Sequence, residues 1–469
     1  MTRPLVSVCV PAHNQASYIA GALRSALHHD LDLEVLVQDD ASTDATAGVV
    51  RALADPRVRY ARNDRRLGVA ATRNVLLDRA RGTYVAWLDA DDEHLPGLLA
   101  RQVDALAADP AIGLAHGGFH VIGAGGERLA DWPAPLERDT VEPAQVAFGH
   151  LIAANEMATS TVVVPRERHR ATGGFRPQIG ASSTDWDAWL RIVRDGGVAY
   201  FAAPVARYRQ HAATISAATA PGGERLRCDI AVVRRALREH PPGRATAATA
   251  NAALAAKALD HAGDRFTRGD RLRAARAVAL AARLAPDAVG PHAPRLLLAT
   301  LRGDEDAAFR ANRRSLAALA DRLAGTRYGA RVRRAAAGDP EWDATLERIA
   351  GALRRTLPGD AVVAAISKWD PTLLRLIGRA GRNFPDRRLM PDGYPRDGAA
   401  AVAHLEQLRR EAGVTHLVVP DAYAWWLEHY APFADHLDER YRRAPGGPDC
   451  VVFDLRDDAA AEATRIAVG

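Results

Sequence analysis

The sequence predicts an α/β protein: a doubly wound, mostly parallel sheet, then a helical module, then a small C-terminal α/β domain. Three observations carry this. Strand-like runs at Leu5–Val10, Leu33–Val37, Arg57–Ala61 and Tyr84–Leu88 alternate with segments of helical periodicity. From about Gly222 to about Gly338 alanine and arginine dominate and strand signals vanish. Apolar runs then restart at Ala361–Ile366, His416–Val419 and Cys450–Leu455. At 469 residues the chain exceeds one ordinary domain, and the expected division is 1–220, 221–340 and 341–469.

Taken in order, Leu5–Val10 is a buried strand closed by Pro11-Ala12-His13-Asn14, and Tyr18, Ile19, Ala22, Leu23, Ala26 and Leu27 recur at helical spacing. Leu33–Val37 ends at Gln38-Asp39-Asp40-Ala41-Ser42-Thr43-Asp44, with Ser42 or Thr43 placed to cap a helix running to about Leu53. A helix is expected over Gly68–Arg79, and the run from Tyr84 stops at Asp89-Ala90-Asp91-Asp92-Glu93 before a helix that Pro96 opens. Parallel crossovers bring every strand's carboxyl end to one edge, so Pro11–Asn14, Asp39–Asp44 and Asp89–Asp92 converge there. Ile112–Ala115 and Phe119–Ile122 read as separate strands, Glu127–Ala130 as the return of a hairpin, and Glu156–Val164 as another strand.

Composition narrows the function classes. Hydrophobic residues make up 48% and charged residues 25%, which describes a globular protein with ample core. The net charge is +5, yet lysine occurs only at Lys257 and Lys368, acids are nearly as numerous as bases, and no zinc-finger spacing or aromatic RNP pattern is present. Nucleic acid is not an expected partner. Cys9, Cys228 and Cys450 form no CxxC pair, which fits reduced thiols and a cytoplasmic setting. The N-terminal apolar run is too short for a signal peptide, and no stretch approaches the ~20 apolar residues of a membrane span.

The acid cluster has two readings. Three carboxylates this close repel one another unless a divalent cation, a helix end or water intervenes. Either they hold a metal, or Asp91, Asp92 and Glu93 face the positive end of the next helix. Ser182–Arg191 presents a similar choice. Trp186, Trp189, Leu190 and Val193 share one helix face and leave Asp185 in the first turn, as a helix-start acid or as a reactive carboxylate.

The runs Val6–Asn14, Val37–Asp44, Gly68–Asn74 and Leu88–Asp92 resemble, in order and spacing, the family 2 glycosyltransferases. The resemblance implies the GT-A fold, a nucleotide-diphosphate sugar donor, and Mn²⁺ or Mg²⁺ held through a D-x-D type motif. It places Pro11, His13, Asn14, Asp39, Asp40, Ser42, Arg73 and Asp91 around the nucleotide sugar, with Asp39 on the base and Asp91 on ribose or metal. Asp92 is the expected ligand, helped by Asp91, Asp89 and His211. Asp185 matches the aspartate of an acidic motif followed by tryptophan, the general base of inverting members, with Thr184 where the family has glutamate. Two further departures are His13 for an aromatic residue and Ala41 for glycine. The implied reaction is inverting transfer of a sugar to an acceptor hydroxyl on a cell-surface glycan, lipid-linked saccharide or polysaccharide. The competing reading is a non-catalytic nucleotide- or glycan-binding protein whose C-terminal half recruits a partner.

Beyond about residue 215 the resemblance ends. Ala255–Pro286 looks like one tetratricopeptide-type hairpin turning at Gly269-Asp270. The arginines from Arg268 to Arg283 read as a solvated helix face, with peripheral contact to anionic lipid at the inner face of a membrane as the alternative. The C-terminal runs suggest a small parallel sheet onto which Trp425, Trp426, Leu427 and Tyr430 pack a helix. Oligomeric state is not legible.

Overall fold

In the computed structural model, residues 3–132, 138–211, 214, 223–337, 340–367, 372–386, 395, 397–447 and 449–456 are described. The chain forms two compact units, one of residues 1–254 with 325–328 and one of the remainder. The expected boundary at 220 lies outside the described residues, and the helix after it, Glu224–Glu239, belongs to the first unit.

The first unit runs β1 (Val6–Ala12), α1 (Ile19–Leu27), β2 (Leu33–Asp39), α2 (Thr46–Ala52), β3 (Val58–Arg62), α3 (Val69–Arg79), β4 (Tyr84–Trp87), β5 (Glu93–His94), α4 (Leu98–Ala108), β6 (Ile112–Ile122), β7 (Arg128–Asp131), β8 (Thr140–Glu142), α5 (Ala144–Ala153), β9 (Val163–Pro165), α6 (Arg166–Ala171), α7 (Thr184–Val193), β10 (Gly197–Arg209) and α8 (Glu224–Glu239). Its sheet has the order β3-β2-β1-β4-β9-β6-β10-β5, with β7 beside β6 and β8 beside β10. The β3-β2-β1-β4 run is parallel, and β10 is parallel to β6. Short β9 is antiparallel to both β4 and β6. This is the mostly parallel GT-A arrangement. Strands β1, β2 and β4 are buried along their whole length, as crossovers covering both faces require. Ile19 and Leu23 of α1 and Leu99 and Val103 of α4 fill one face against Val8, Val10, Val35 and Val37.

Three local expectations change. Ile112–Ile122 is one continuous strand, because Gly117 and Gly118 lie close against β10, where a Cβ on Gly117 would collide with Val205. Residues 156–164 hold a single-turn helix, Thr159–Thr161, before the three-residue β9, since its hydroxyls bond locally and into the site. Helix α2 starts after Ala45 with no side-chain cap, because Ser42 and Thr43 are bonded to residue 14.

In the second unit, helices Arg244–Thr267 and Arg271–Leu284 flank the Gly269-Asp270 turn, although the first begins in the other unit; Asp270 caps the second by accepting from the Arg273 N–H. Arg268 pairs with Asp264 and Arg273 with Asp270. No helix among the described residues is long and apolar enough to cross a membrane. The C-terminal sheet comprises β11 (Val362–Ile366), β12 (Ala380–Phe384), β13 (His416–Pro420), β14 (Arg442–Ala444) and β15 (Cys450–Asp454), in the order β12-β11-β13-β15-β14. Only β12, β11 and β13 are parallel; β15 runs antiparallel to β13, correcting the all-parallel expectation. Trp426 and Tyr430 pack on this sheet, while Trp425 is exposed.

Candidate active site

At the carboxyl ends of β1 and β2 the expected nucleotide-side residues come together. His13 Nδ1–H donates to the Asp40 carbonyl at 2.8 Å, the Asn14 N–H donates to Ser42 Oγ at 2.9 Å, and the Ser42 N–H donates to Asp39 Oδ1 at 2.7 Å. Asp39 is fully buried, and its other oxygen accepts from the Tyr60 hydroxyl at 2.6 Å. Asp40 has a different task. Its oxygens accept from the N–H groups of Leu67 and Gly68 and from Asn63, pinning the loop that opens α3. Burial alone would raise its pKa, but these bonds outweigh burial and hold it below the usual range. Pro11 is buried at the end of β1.

The acid turn after β4 does not gather Asp89, Asp91, Asp92 and His211 into one ligand set; among the described residues no group of three or more His, Cys, Asp or Glu side chains is arranged for a metal. Asp89 accepts from Arg73 at 2.7 Å. Asp91 Oδ2 meets His211 Nε2 at 3.0 Å, and the His211 ring lies 4.9 Å from that of Tyr18. Asp92 turns inward. It is 2% exposed, with one oxygen on the Ser160 hydroxyl at 2.6 Å and the other on the Arg209 N–H at 2.8 Å. Burial, and then the charge of Asp89, push Asp91 above the ordinary carboxylate range, with His211 partly offsetting. Burial, then Asp91 and Asp89, hold Asp92 well above it.

Asp91 offers a carboxylate oxygen of the kind that Mg²⁺ and Mn²⁺ take, and the His211 ring nitrogen meets it at 3.0 Å. Both Asp92 oxygens are engaged, one by the Ser160 hydroxyl of the Thr159–Thr161 turn and the other by the N–H of Arg209 on β10, an arrangement that the spacing of adjacent acids does not reveal.

Asp185 lies in the first turn of α7, which is anchored by the Trp186 indole N–H on the Leu151 carbonyl at 2.7 Å and by Trp189 against Phe175. Its Oδ1 accepts the Trp186 N–H at 2.8 Å, and its Oδ2 accepts from Asn155 at 3.2 Å and Thr159 at 3.3 Å. Burial pushes its pKa up, the Arg73 guanidinium pulls it down, and the Asp89 carboxylate pushes it up again. Asp185, Arg73 and Asp89 therefore share one electrostatic neighbourhood. A carboxylate with a raised pKa is a better proton acceptor than an ordinary one.

Four supporting residues escaped the sequence reading. Ser160 accepts the Asp89 N–H and donates to Asp92, and its signal was a polar Thr-Ser-Thr triplet abutting a valine run. Arg209 donates to the Asp91 carbonyl, to Glu93 and to the Gly123 carbonyl, holding the acid turn to β10. Asn155 and Thr159 orient Asp185, and no local pattern marks them.

Comparison with known proteins gives the family. The family model Glycosyl transferase family 2 matches residues 7–140. Uncharacterized protein MT1568 of Mycobacterium tuberculosis is 30% identical over 237 residues, covering 45% of this chain and 69% of its own length. The putative teichuronic acid biosynthesis glycosyltransferase TuaG of Bacillus subtilis is 27% identical, covering 42% of this chain and 75% of its own length. The UDP-Glc:alpha-D-GlcNAc-diphosphoundecaprenol beta-1,3-glucosyltransferase WfaP of Escherichia coli is 26% identical, covering 45% and 80%. The match defines the class as a glycosyltransferase. The chain belongs to glycosyl transferase family 2.

Proposed function

We propose that the first unit moves a sugar from a nucleotide-diphosphate sugar to an acceptor hydroxyl by a single, inverting displacement, in the synthesis of a cell-surface glycan or lipid-linked saccharide at the cytoplasmic side of a membrane. The observation that carries this is the Asp185 carboxylate held by Asn155 and Thr159, with the Arg73–Asp89 ion pair and the Asp91–His211 pair on the acid turn after β4. Asp91 and His211 would hold Mn²⁺ or Mg²⁺, which supplies positive charge against the departing diphosphate. Arg73 orients Asp89 toward the donor, and the two loops that leave the carboxyl ends of β1 and β2 receive the nucleotide. Asp185 accepts the acceptor hydroxyl proton as that oxygen attacks the anomeric carbon, so one displacement inverts configuration. The bonds from Asn155 and Thr159 leave the Asp185 carboxylate partly exposed, as a base that must reach an acceptor hydroxyl needs.

The test is a nucleotide-sugar panel headed by UDP-glucose, the donor in WfaP's name, with Mn²⁺ or chelator. Metal-dependent nucleoside diphosphate affinity should disappear in Asp91→Asn and His211→Ala and survive in Asp92→Asn. Loss in Asp92→Asn alone would return the metal to Asp92.

A further inference from the structure

Asp185 is oriented by the loop after α5, and that loop is tied down by a residue far along the chain. Residues 325–328 belong to the first unit although the sequence around them is helical and lies outside the family match. Arg327 forms an ion pair with Glu142, immediately before α5, and its other terminal nitrogen lies 4.0 Å from Glu156, immediately after α5. The three side chains are 12%, 9% and 16% exposed, so the charges meet largely out of water. His150, within α5, adds a 3.2 Å contact to Glu142, and the Arg327 guanidinium sits 5.9 Å from the centre of the Tyr200 ring on β10. One guanidinium thus spans both ends of α5.

The residues on either side of Glu156 belong to the site itself. Asn155 and Thr159 bond the base carboxylate, the Asn155 side-chain carbonyl also takes the Met157 N–H, and Ser160 bonds both Asp89 and Asp92. Residues 155–160 are therefore the strap on which base and acid turn are held in register. Its apolar anchors are two, the buried Met157 and the partly buried Ala158 packed against the core, and its polar groups are spent on the site.

We propose that Arg327 is a positioning residue for Asp185: by clamping Glu142 and Glu156 it fixes the 155–160 strap, so that the catalytic centre is incomplete without a segment from beyond the family domain. This rests on the reading of Asp185 as base, but its direct consequence, a strap ordered by Arg327, does not. Removing the guanidinium takes away the positive charge that Glu142 and Glu156 share, while Glu142 keeps its contact to His150, and the nearest relief is outward movement of the Glu156 end.

The test is hydrogen–deuterium exchange on the full chain with Arg327→Gln, Arg327→Lys and wild type. In Arg327→Gln, exchange in the peptide covering 154–161 should rise at least tenfold while that of Val6–Ala12 stays at the wild-type rate, and Arg327→Lys should recover part of the protection. If Arg327→Gln does not fold, Glu156→Gln, which removes the outer partner alone, should show the same local rise. Turnover of UDP-glucose, or of whichever panel sugar the wild type uses, should fall at least tenfold in kcat with donor KM within twofold. Unchanged exchange at 154–161, or an equal rise at Val6–Ala12, overturns the proposal. Full activity in Asp185→Asn sinks the base reading and leaves the exchange result standing, so the two failures are separable.

Discussion

Ala41 sits at φ 59°, in the left-handed region where a β-carbon costs about 1–2 kcal/mol. The backbone reverses there so that Asp39 can accept the Ser42 N–H. Glycine relieves the clash at an entropic cost of about 0.5–1 kcal/mol, so Ala41→Gly should raise unfolding free energy by about 0.5–1 kcal/mol in a denaturant melt. Asp185 carries the pH prediction. Its folded pKa is raised, so its stabilising contribution is present below the unfolded value of about 3.9 and is lost as pH rises through the folded value. Asp185→Asn should therefore gain stability relative to wild type on going from pH 4 to pH 8, while the acid limb of wild-type kcat/KM lies above the ordinary aspartate range. A stability difference that shrinks with pH would count against a buried, ionised carboxylate. At this scale the sequence was legible for residue type and for position in an element, hence Asp39, Asp89 and Asp91 at or just beyond strand ends and Asp185 in a helix's first turn. It was not legible for orientation. Asp91 and Asp92 are adjacent in the chain, and which one faces inward is decided by Ser160 and by the Arg209 N–H, 68 and 117 residues away.

Elements were legible where periodicity was strong and local. The four parallel strands and three helices of the first ninety residues follow from alternation of buried runs with helical spacing. The Thr159–Thr161 turn was missed because the Thr159 and Ser160 hydroxyls bond partners distant in sequence, and the antiparallel β15 because strand direction leaves no mark on composition. Helix α8 was assigned to the wrong side of a boundary for a similar reason: its contacts are with α7. Asp229 accepts from Ser183 at 2.8 Å, Glu239 pairs with Arg176 at 2.9 Å, and Val232 and Val233 are buried. Burying a valine contributes about 1.5–3 kcal/mol, so a chain cut at 220 loses at least about 3 kcal/mol against one cut at 254. The 1–254 protein should melt several degrees above the 1–220 protein and retain nucleoside diphosphate binding. Equal melting temperatures would mean that α8 adds nothing to the first unit.

For the whole molecule, the family match covers residues 7–140, whereas the bonded site extends through Asp185, Arg209 and His211. The second unit carries its own sheet and core and, among the described residues, no part of the site described. The central claim is that Asp185 is the base of an inverting sugar transfer. It is tested most directly by comparing wild type with Asp185→Asn in sugar transfer from an α-linked nucleotide donor, with donor affinity and anomeric configuration measured on the same samples. Asparagine preserves size and can retain the helix-side hydrogen bond, but it cannot take the proton. Turnover should fall by about 10²- to 10⁴-fold with donor affinity unchanged, and the wild-type product should be β-linked. Full activity in the variant, or an α-linked product from the wild type, would contradict it.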